Sequence, residues 1–185
     1  GQRPAMTLPD RGFPRSEYEQ RAEQAQALMV AMDLDALLVS TEPEVRYLTG
    51  FHTPFWQSPT RPWFVVLPAA GTPIAVIPEI GTSSMAGTWV DDIRTWPAPR
   101  PPDDGVSLLV DTLREVAGRP VGPSGRIGLP MGHETHVRMP LSDLDALRDR
   151  IQPLELVDAT DVVRSLRMVK SEREVHKIAH ICGIV

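Results

Sequence analysis

The stretch Asp35-Ala-Leu-Leu-Val-Ser40 is a short, continuous apolar run that leads into a turn-prone segment. It is too short for a buried helix and lacks the alternation of a strand with one solvated face, so it predicts a strand covered on both sides. Residues 63–67 (Trp-Phe-Val-Val-Leu) and 74–77 (Ile-Ala-Val-Ile) have the same character, and residues 68–73 between them contain proline and glycine suited to a turn. These three segments predict the middle of one sheet.

Helical patterns alternate with the predicted strands. Residues 16–33 and 105–117 carry apolar side chains at three- and four-residue spacing, which predicts two amphipathic helices covering the sheet. The first helix opens with Ser16 and Glu19 in the register of a capping box. Further helices are predicted over 42–48, 79–87 and 140–147, and further strands over 90–96, 126–129 and 154–157. This order predicts an α/β fold, a mixed β-sheet covered by helices on both faces.

Composition and charge exclude several classes of function. The chain has 185 residues, 42% of them hydrophobic, which suits one well-packed domain. The net charge is −5 and there is no basic block, so neither nucleic acid nor an anionic membrane surface is an expected partner. Residues 63–70 are the longest apolar stretch, far short of the roughly 20 residues of a membrane helix. Because Cys182 is the only cysteine, no disulfide within the chain is possible and a cytoplasmic location is expected.

The last 25 residues predict a domain boundary. Ser171 and Glu174 have capping-box spacing and indicate that a new helix begins. Its apolar stripe continues to the last residue, through Val175, Ile178, Ala179, Cys182 and Val185. We therefore expect an N-terminal extension over 1–15, one domain over 16–160, and a linker with the first helix of a further domain over 161–185.

Two segments resemble a known family. The run Asp35-Ala-Leu-Leu-Val39 followed by Glu44-Val-Arg-Tyr-Leu-Thr-Gly-Phe51 is similar to the N-terminal domains of creatinase-type hydrolases, which have an aspartate, an apolar strand and an N-I-x-Y-L-T/S-G-aromatic motif. The segment Val163-Arg-Ser-Leu-Arg-Met-Val-Lys-Ser-Glu-Arg-Glu-Val175 resembles their R-x-x-K-S-x-x-E junction with the catalytic domain. On both motifs, the chain is identified as a member of the creatinase/prolidase/aminopeptidase P family, the pita-bread hydrolases, and as similar to Xaa-Pro dipeptidases.

The resemblance implies a role for the chain within a larger enzyme. Such hydrolases have two domains and are usually homodimers. In most members the C-terminal domain binds two divalent metal ions (Mn, Co or Zn) through two aspartates, a histidine and two glutamates, although creatinase uses the scaffold without metal. The N-terminal domain, which has a ribonuclease H-like motif, serves dimerisation and substrate positioning. The metal ligands are absent from this sequence, so the chain alone is expected to be inactive and to bind no cofactor of its own.

The loop over 51–63 is the candidate functional segment. It contains the candidate substrate-positioning residues His52, Phe55, Trp56 and Arg61. An arginine can bind a substrate carboxylate through its planar guanidinium, and an aromatic ring can form a pocket wall. The resemblance implies this role for Arg61, but the spacing after Gly50 is longer than in creatinase, which makes Trp56 the better-placed pocket residue. In the alternative interpretation, Phe55 and Trp63 belong to the core and Arg61 is a solvated loop residue.

The histidines do not predict a metal site. His133 and His136 are three residues apart beside a glycine, whereas a helical zinc motif needs histidines four apart. His176 and His180 have the right spacing but no third ligand nearby, and Cys182 on the same stripe is expected to be a small buried hydrophobe. We therefore predict no catalytic and no metal-binding residue in this chain.

Two hypotheses of function follow. The first is a non-catalytic domain for dimerisation and substrate positioning in an Xaa-Pro dipeptidase, aminopeptidase P or creatinase-like hydrolase, whose main partner is its own C-terminal catalytic domain. The alternative is a stand-alone binding or oligomerisation module without enzymatic activity. A reading frame that continues past Val185 into aspartate, histidine and glutamate ligands would favour the first.

Overall fold

The computed structural model describes residues 13–57, 61–100, 102–117 and 125–168. Within these residues, strands and helices alternate as the sequence predicts. The strands are Ala36–Val39 (β1), Phe64–Pro68 (β2), Ile74–Pro78 (β3), Asp92–Trp96 (β4), Arg126–Leu129 (β5) and Glu155–Asp158 (β6). The helices are Arg15–Ala31 (α1), Glu42–Thr49 (α2), Thr82–Ala86 (α3), Val106–Ala117 (α4), Leu141–Arg150 (α5) and Thr160–Met168 (α6), with 3-10 turns at Pro54–Gln57 and Glu79–Gly81.

The described strands form one mixed sheet in the order β4-β3-β2-β1-β5-β6. β1 and β2 are antiparallel with Val39 opposite Val65, and β2 continues into β3 as an antiparallel hairpin. β4 lies parallel to β3, β5 lies parallel to β1, and β6 lies parallel to β5. The three strands predicted for the middle of the sheet are therefore adjacent.

Side chains of successive strand residues enter two separate cores. Leu37 and Val39 of β1 point to one face, where they belong to a cluster with α1, α2 and α6. Ala36 and Leu38 point to the other face, in a cluster with α4 and α5. Because both faces of β1 are buried, every position in it is apolar and alternation is lost. The predicted α/β fold with helices on both faces is confirmed.

Asp35 and Gly50 fix how the elements around β1 connect. The Asp35 carboxylate, directly before β1, accepts a hydrogen bond of 2.8 Å from the backbone N–H of Gly125, directly before β5. Gly50 ends α2 in the left-handed conformation with φ of 79°, as its position after the helical pattern predicts. A Cβ at Gly50 would also lie 2.7 Å from the Tyr18 hydroxyl. Both the backbone conformation and the nearby tyrosine therefore favour glycine at this position.

The predicted capping box of α1 is wrong. The helix begins at Arg15 with Pro14 at the N-cap position, and no side chain caps it. Ser16 therefore lies inside the first turn. Glu19 turns away from it and accepts a hydrogen bond of 2.9 Å from Nε of Arg15, because an arginine one turn earlier is a charged partner within reach.

Several sequence predictions fall at or beyond the limits of the described residues. Residues 161–168, assigned above to a linker, form most of α6, and Val162 and Leu166 of this helix pack in the same core as α1. The predictions for Ser171, Glu174, the stripe 175–185 and its histidines lie outside the described residues. None of the described helices has the length and apolarity needed to span a bilayer.

Candidate functional site

One edge of the sheet collects the loops that carry the candidate residues. Val39 pairs with Val65 and Phe64 pairs with Val76, so the ends of β1 and β3 lie beside the start of β2. The ends of β4, β5 and β6 lie at the same edge because these strands run parallel to β3 or β1. Ligands of α/β sheets bind outside the carboxyl ends of the strands. The structure describes residues 51–57 and 61–63 of the loop 51–63, and these residues and the loop 130–140 lie at this edge.

Aromatic stacking attaches the loop 51–63 to the core. Phe51 and Trp63 are both fully buried, with ring centroids 5.3 Å apart. The Trp56 ring packs on both of them, with its centroid 6.4 Å from each. Trp63 is thus a core residue, as the alternative interpretation proposed, and Trp56 is half-buried against it.

Phe55 and Arg61 are in contact in the same loop, and Phe55 also packs against the core cluster that contains Phe51 and Trp63. Phe55 and Arg61 are both half-buried, and the Arg61 guanidinium carbon lies 5.2 Å from the centre of the Phe55 ring. This is a cation–π distance, so each side chain orients the other. The structure therefore brings together two of the four predicted substrate-positioning residues, while Trp56 turns inward.

His52 is exposed and faces charges of α2. Partial burial and the positive charge of Arg46 lower the pKa of the His52 imidazole, and the carboxylate of Glu42 opposes that shift. The neutral imidazole is therefore favoured at physiological pH. Its electrostatic contacts are with the helix rather than with Phe55, Trp56 or Arg61.

Arg138 holds the loop 51–63 and was missed by the sequence analysis. Its guanidinium donates hydrogen bonds to the backbone carbonyls of Phe55 and Trp56, each at 3.2 Å, and to that of Arg61. The same guanidinium carbon lies 5.4 Å from the centre of the Trp56 ring. Burial lowers the pKa of Arg138, although a guanidinium stays charged at any physiological pH. No local pattern could reveal this role, because the partners lie far away in sequence.

The backbone of Arg138 joins the second loop to β1. Its N–H donates a hydrogen bond of 3.0 Å to the Ser40 hydroxyl, which directly follows β1. The beginning of this loop is held by Asp158, whose carboxylate accepts hydrogen bonds from the Met131 N–H at 3.0 Å and from the Thr160 hydroxyl at 2.6 Å. The bond from Thr160 and those from the backbone lower the pKa of Asp158. The loop is thus fixed at both ends.

A second cluster joins the two segments that carried the family resemblance. Arg167 of α6 donates a hydrogen bond to the carboxylate of Glu44 on α2, and the Glu44 side chain is only 8% exposed. The Tyr47 hydroxyl donates to the backbone carbonyl of Leu166 at 3.3 Å. An apolar cleft between the two helices contains this cluster and is lined further by Leu37, Val39, Leu48 and Val163. The described part of the junction segment, residues 163–168, is therefore held on the domain by specific polar contacts.

Metal ligands are not assembled in the described part of the chain. Among residues 13–57, 61–100, 102–117 and 125–168, no three histidine, cysteine, aspartate or glutamate side chains are grouped so that they could hold an ion. His133 and His136 lie in the loop 130–140 and not on a helix. His176, His180 and Cys182 lie outside the described residues. The described histidine, aspartate and glutamate side chains therefore do not fit the two-metal site that the family resemblance implies for the catalytic domain.

Comparison with known proteins agrees with this architecture. The family model described as the creatinase/prolidase N-terminal domain matches residues 21–169. Among curated proteins, the probable dipeptidase PepE of Mycobacterium tuberculosis is 28% identical over 176 residues, which are 89% of this chain and 40% of that protein. An uncharacterized hydrolase/peptidase of Sinorhizobium fredii is 23% identical over 178 residues, which are 93% of this chain and 43% of that protein. The chain thus spans about two fifths of these relatives.

Solved structures extend the likeness to three dimensions. The crystal structure of dipeptidase PepE from Mycobacterium ulcerans has a TM-score of 0.66 and 28% sequence identity, over 89% of this chain and 40% of that one. The N-terminal domain of the cytoplasmic peptidase PepQ from Mycobacterium tuberculosis has a TM-score of 0.58 and 24% identity, over 80% of this chain and 98% of that one. The second comparison shows the fold alone.

Proposed function

The chain belongs to the creatinase/prolidase N-terminal domain family, and from that premise we propose that it is the non-catalytic, substrate-positioning domain of an Xaa-Pro dipeptidase or related hydrolase. The likeness to probable dipeptidase PepE over 89% of this chain supports this class of peptidase. Because the matched part is only 40% of that relative, the chemistry is assigned to a C-terminal catalytic domain outside this chain.

The pairing of Arg61 with Phe55 is the observation that carries the proposal. It presents a cation and an aromatic face together at the carboxyl edge of the sheet, on a loop attached to the core by Trp56. A dipeptide that ends in proline offers a carboxylate and a compact apolar ring. The guanidinium of Arg61 would bind the carboxylate and Phe55 would form a wall beside the ring. His52 would lie at the rim of this surface.

The metal ions and the dimer belong to the same proposal. Two divalent ions, manganese, cobalt or zinc, would be held by the catalytic domain, where they would supply an activated water. The described residues of this chain would contribute only substrate contacts. A homodimer would place this loop near the active site of a neighbouring subunit. The cytoplasmic location stays a prediction.

A comparison of two arginine variants tests the proposal. In a polypeptide where residues 1–185 are followed by the catalytic domain, Arg61→Ala should raise KM for a proline-terminated dipeptide by about tenfold, because a charge-assisted contact to the carboxylate is lost. Arg148→Ala is the matched control, since Arg148 lies on α5 with a side chain 53% exposed. Equal kinetics for both variants would refute the assignment of Arg61. Hydrolysis by residues 1–185 alone would refute the non-catalytic role.

A further inference from the structure

We propose that Arg138 is a positioning residue for substrate binding, which acts by holding residues 51–57 and 61–63, the described parts of the loop, in the conformation that presents Phe55 and Arg61. This inference rests on the proposed function, because it assigns a specificity role to the residue that holds the proposed binding loop. Arg138 acts on substrate only through the loop that it holds.

The hydrogen bonds of Arg138 reach both ends of the functional segment. Its guanidinium donates to the carbonyls of Phe55 and Trp56 in the 3-10 turn and to the carbonyl of Arg61, which precedes β2. All three hydrogen bonds are partly buried, and a partly buried carbonyl that loses its donor costs free energy. The planar fork of arginine carries five donors and suits bonding to three carbonyls.

The ring of Trp56 gives the loop a second contact with Arg138, in addition to the hydrogen bonds. One contact of its ring is the Arg138 guanidinium, at 5.4 Å, and Phe51 and Trp63 of the core provide the others, each at 6.4 Å. Trp56 is therefore held between the arginine and the core. The Arg138 N–H in turn is bonded to Ser40 at the end of β1. These contacts connect the central strand to the loop through one residue.

The contacts of Arg138 determine how Phe55 and Arg61 are held. Their backbone carbonyls are bonded to Arg138, while their side chains pack on each other and are only half-buried. Loss of the guanidinium would free the backbone that carries both groups and leave the core in place. A displacement of about 1 Å of a substrate-positioning group can lower a rate by up to a hundredfold.

The attachment can be measured in the 185-residue chain without substrate. Arg138→Met should raise the hydrogen-exchange rate of amides in 51–57 and 61–63, leave those of β3 unchanged, and shift the tryptophan emission. The emission shift should disappear in a Trp56→Phe background. Arg138→Lys should be intermediate, because its three donors share one nitrogen, whereas Nε, Nη1 and Nη2 of Arg138 each bond a different carbonyl. Arg164→Met is the matched control, since Arg164 donates to the carbonyl of His133 in the same loop as Arg138. Exchange in 51–57 that is unchanged by either Arg138 variant would overturn the inference.

Kinetics of the longer polypeptide separate this inference from the proposed function. Arg138→Met should lower kcat/KM for a proline-terminated dipeptide by about tenfold or more, and little further when combined with Arg61→Ala. Arg138→Lys should restore part of the loss, and it replaces the methionine variant if that one does not fold. If Arg61→Ala lowers kcat/KM and Arg138→Met does not, or if the two losses simply multiply, the positioning role is wrong while the proposed function stands. If neither variant lowers kcat/KM although exchange in the loop rises, both are wrong.

Discussion

The guanidinium of Arg167 on α6 donates a hydrogen bond to the buried carboxylate of Glu44 on α2, 123 positions earlier in the chain. A carboxylate that is 8% exposed needs such a partner, because burial of an uncompensated charge is costly. Beside it, the hydroxyl of Tyr47 bonds the backbone of Leu166. The described parts of the two segments that resemble family motifs are thus in contact.

Removal of Arg167 should destabilise the domain through Glu44. Arg167→Met is expected to lower the free energy of unfolding by about 1–2 kcal/mol, because one oxygen of a buried carboxylate loses its donor while the half-exposed arginine contributes little itself. Urea unfolding followed by circular dichroism measures this. In a Glu44→Gln background the same change should cost clearly less, since a neutral amide tolerates the loss. Equal costs in both backgrounds would show that the two side chains are not coupled.

Replacement of Gly50 should be costly for two separable reasons. Gly50→Ala is expected to lower stability by about 1–3 kcal/mol, because φ is 79° there and the new Cβ would meet the Tyr18 hydroxyl. Gly71→Ala is the control, with φ of 101° and no atom within 4 Å of the added Cβ. Thermal melting should place the Gly50 variant well below the Gly71 variant. Identical melting temperatures would show that the close approach of Tyr18 has no effect on stability.

Trp56 should matter more for stability than Arg61. Its ring packs on Phe51 and Trp63, so Trp56→Ala should lower the free energy of unfolding by about 1–3 kcal/mol, less than for a fully buried tryptophan. Arg61→Ala removes a loop side chain that contacts Phe55 and should cost less than about 0.5 kcal/mol. Chemical denaturation of both variants gives the comparison. A larger loss for Arg61 would identify it as a structural residue and remove it from the proposed binding surface.

Asp158 should make stability depend on pH in the acid range. The hydrogen bond from Thr160 is the main cause that lowers the pKa of this carboxyl in the folded state. A lowered pKa contributes stability that is complete above the unfolded value of about 4 and is lost as pH falls through the folded value. The difference in stability between the natural chain and Asp158→Asn should therefore be constant above about pH 5 and shrink below pH 4. A difference that grows on acidification would contradict this sign.

The imidazole of His52 should titrate below its ordinary value. Partial burial and the charge of Arg46 lower its pKa, while Glu42 raises it. Arg46→Met should therefore raise the pKa of His52 and Glu42→Gln should lower it further. Titration of the imidazole signals by NMR tests both directions in the 185-residue chain. Shifts in the reverse directions would mean that His52 does not face α2 as described.

The central sheet and its helices were predictable because their signals are local. Continuous apolar runs such as Ala36–Val39 occur where both faces of a strand are buried, and the helical stripes of α1 and α4 repeat with the period of the helix. Gly50 was predictable as a helix end for the same reason, since a left-handed residue is a local property of the backbone. The start of α1 was not, because Pro14 and Arg15 compete with Ser16 and propensity alone does not decide between them.

The candidate site, like the fold, was predictable from the sequence only in part. Residue types and spacing are sufficient to show that an aromatic, proline-interrupted segment with Arg61 lies between two elements. They do not show which side chains turn inward, because Trp56 is held by Phe51, Trp63 and a guanidinium 82 positions away, which come together only in the folded chain. The role of Arg138 depends on the parallel pairing of β1 and β5. This pairing places the loop after β5 at the edge of the sheet where the loop 51–63 lies. Pairing of distant strands is set by the burial of both sheet faces together, and no single segment carries that information.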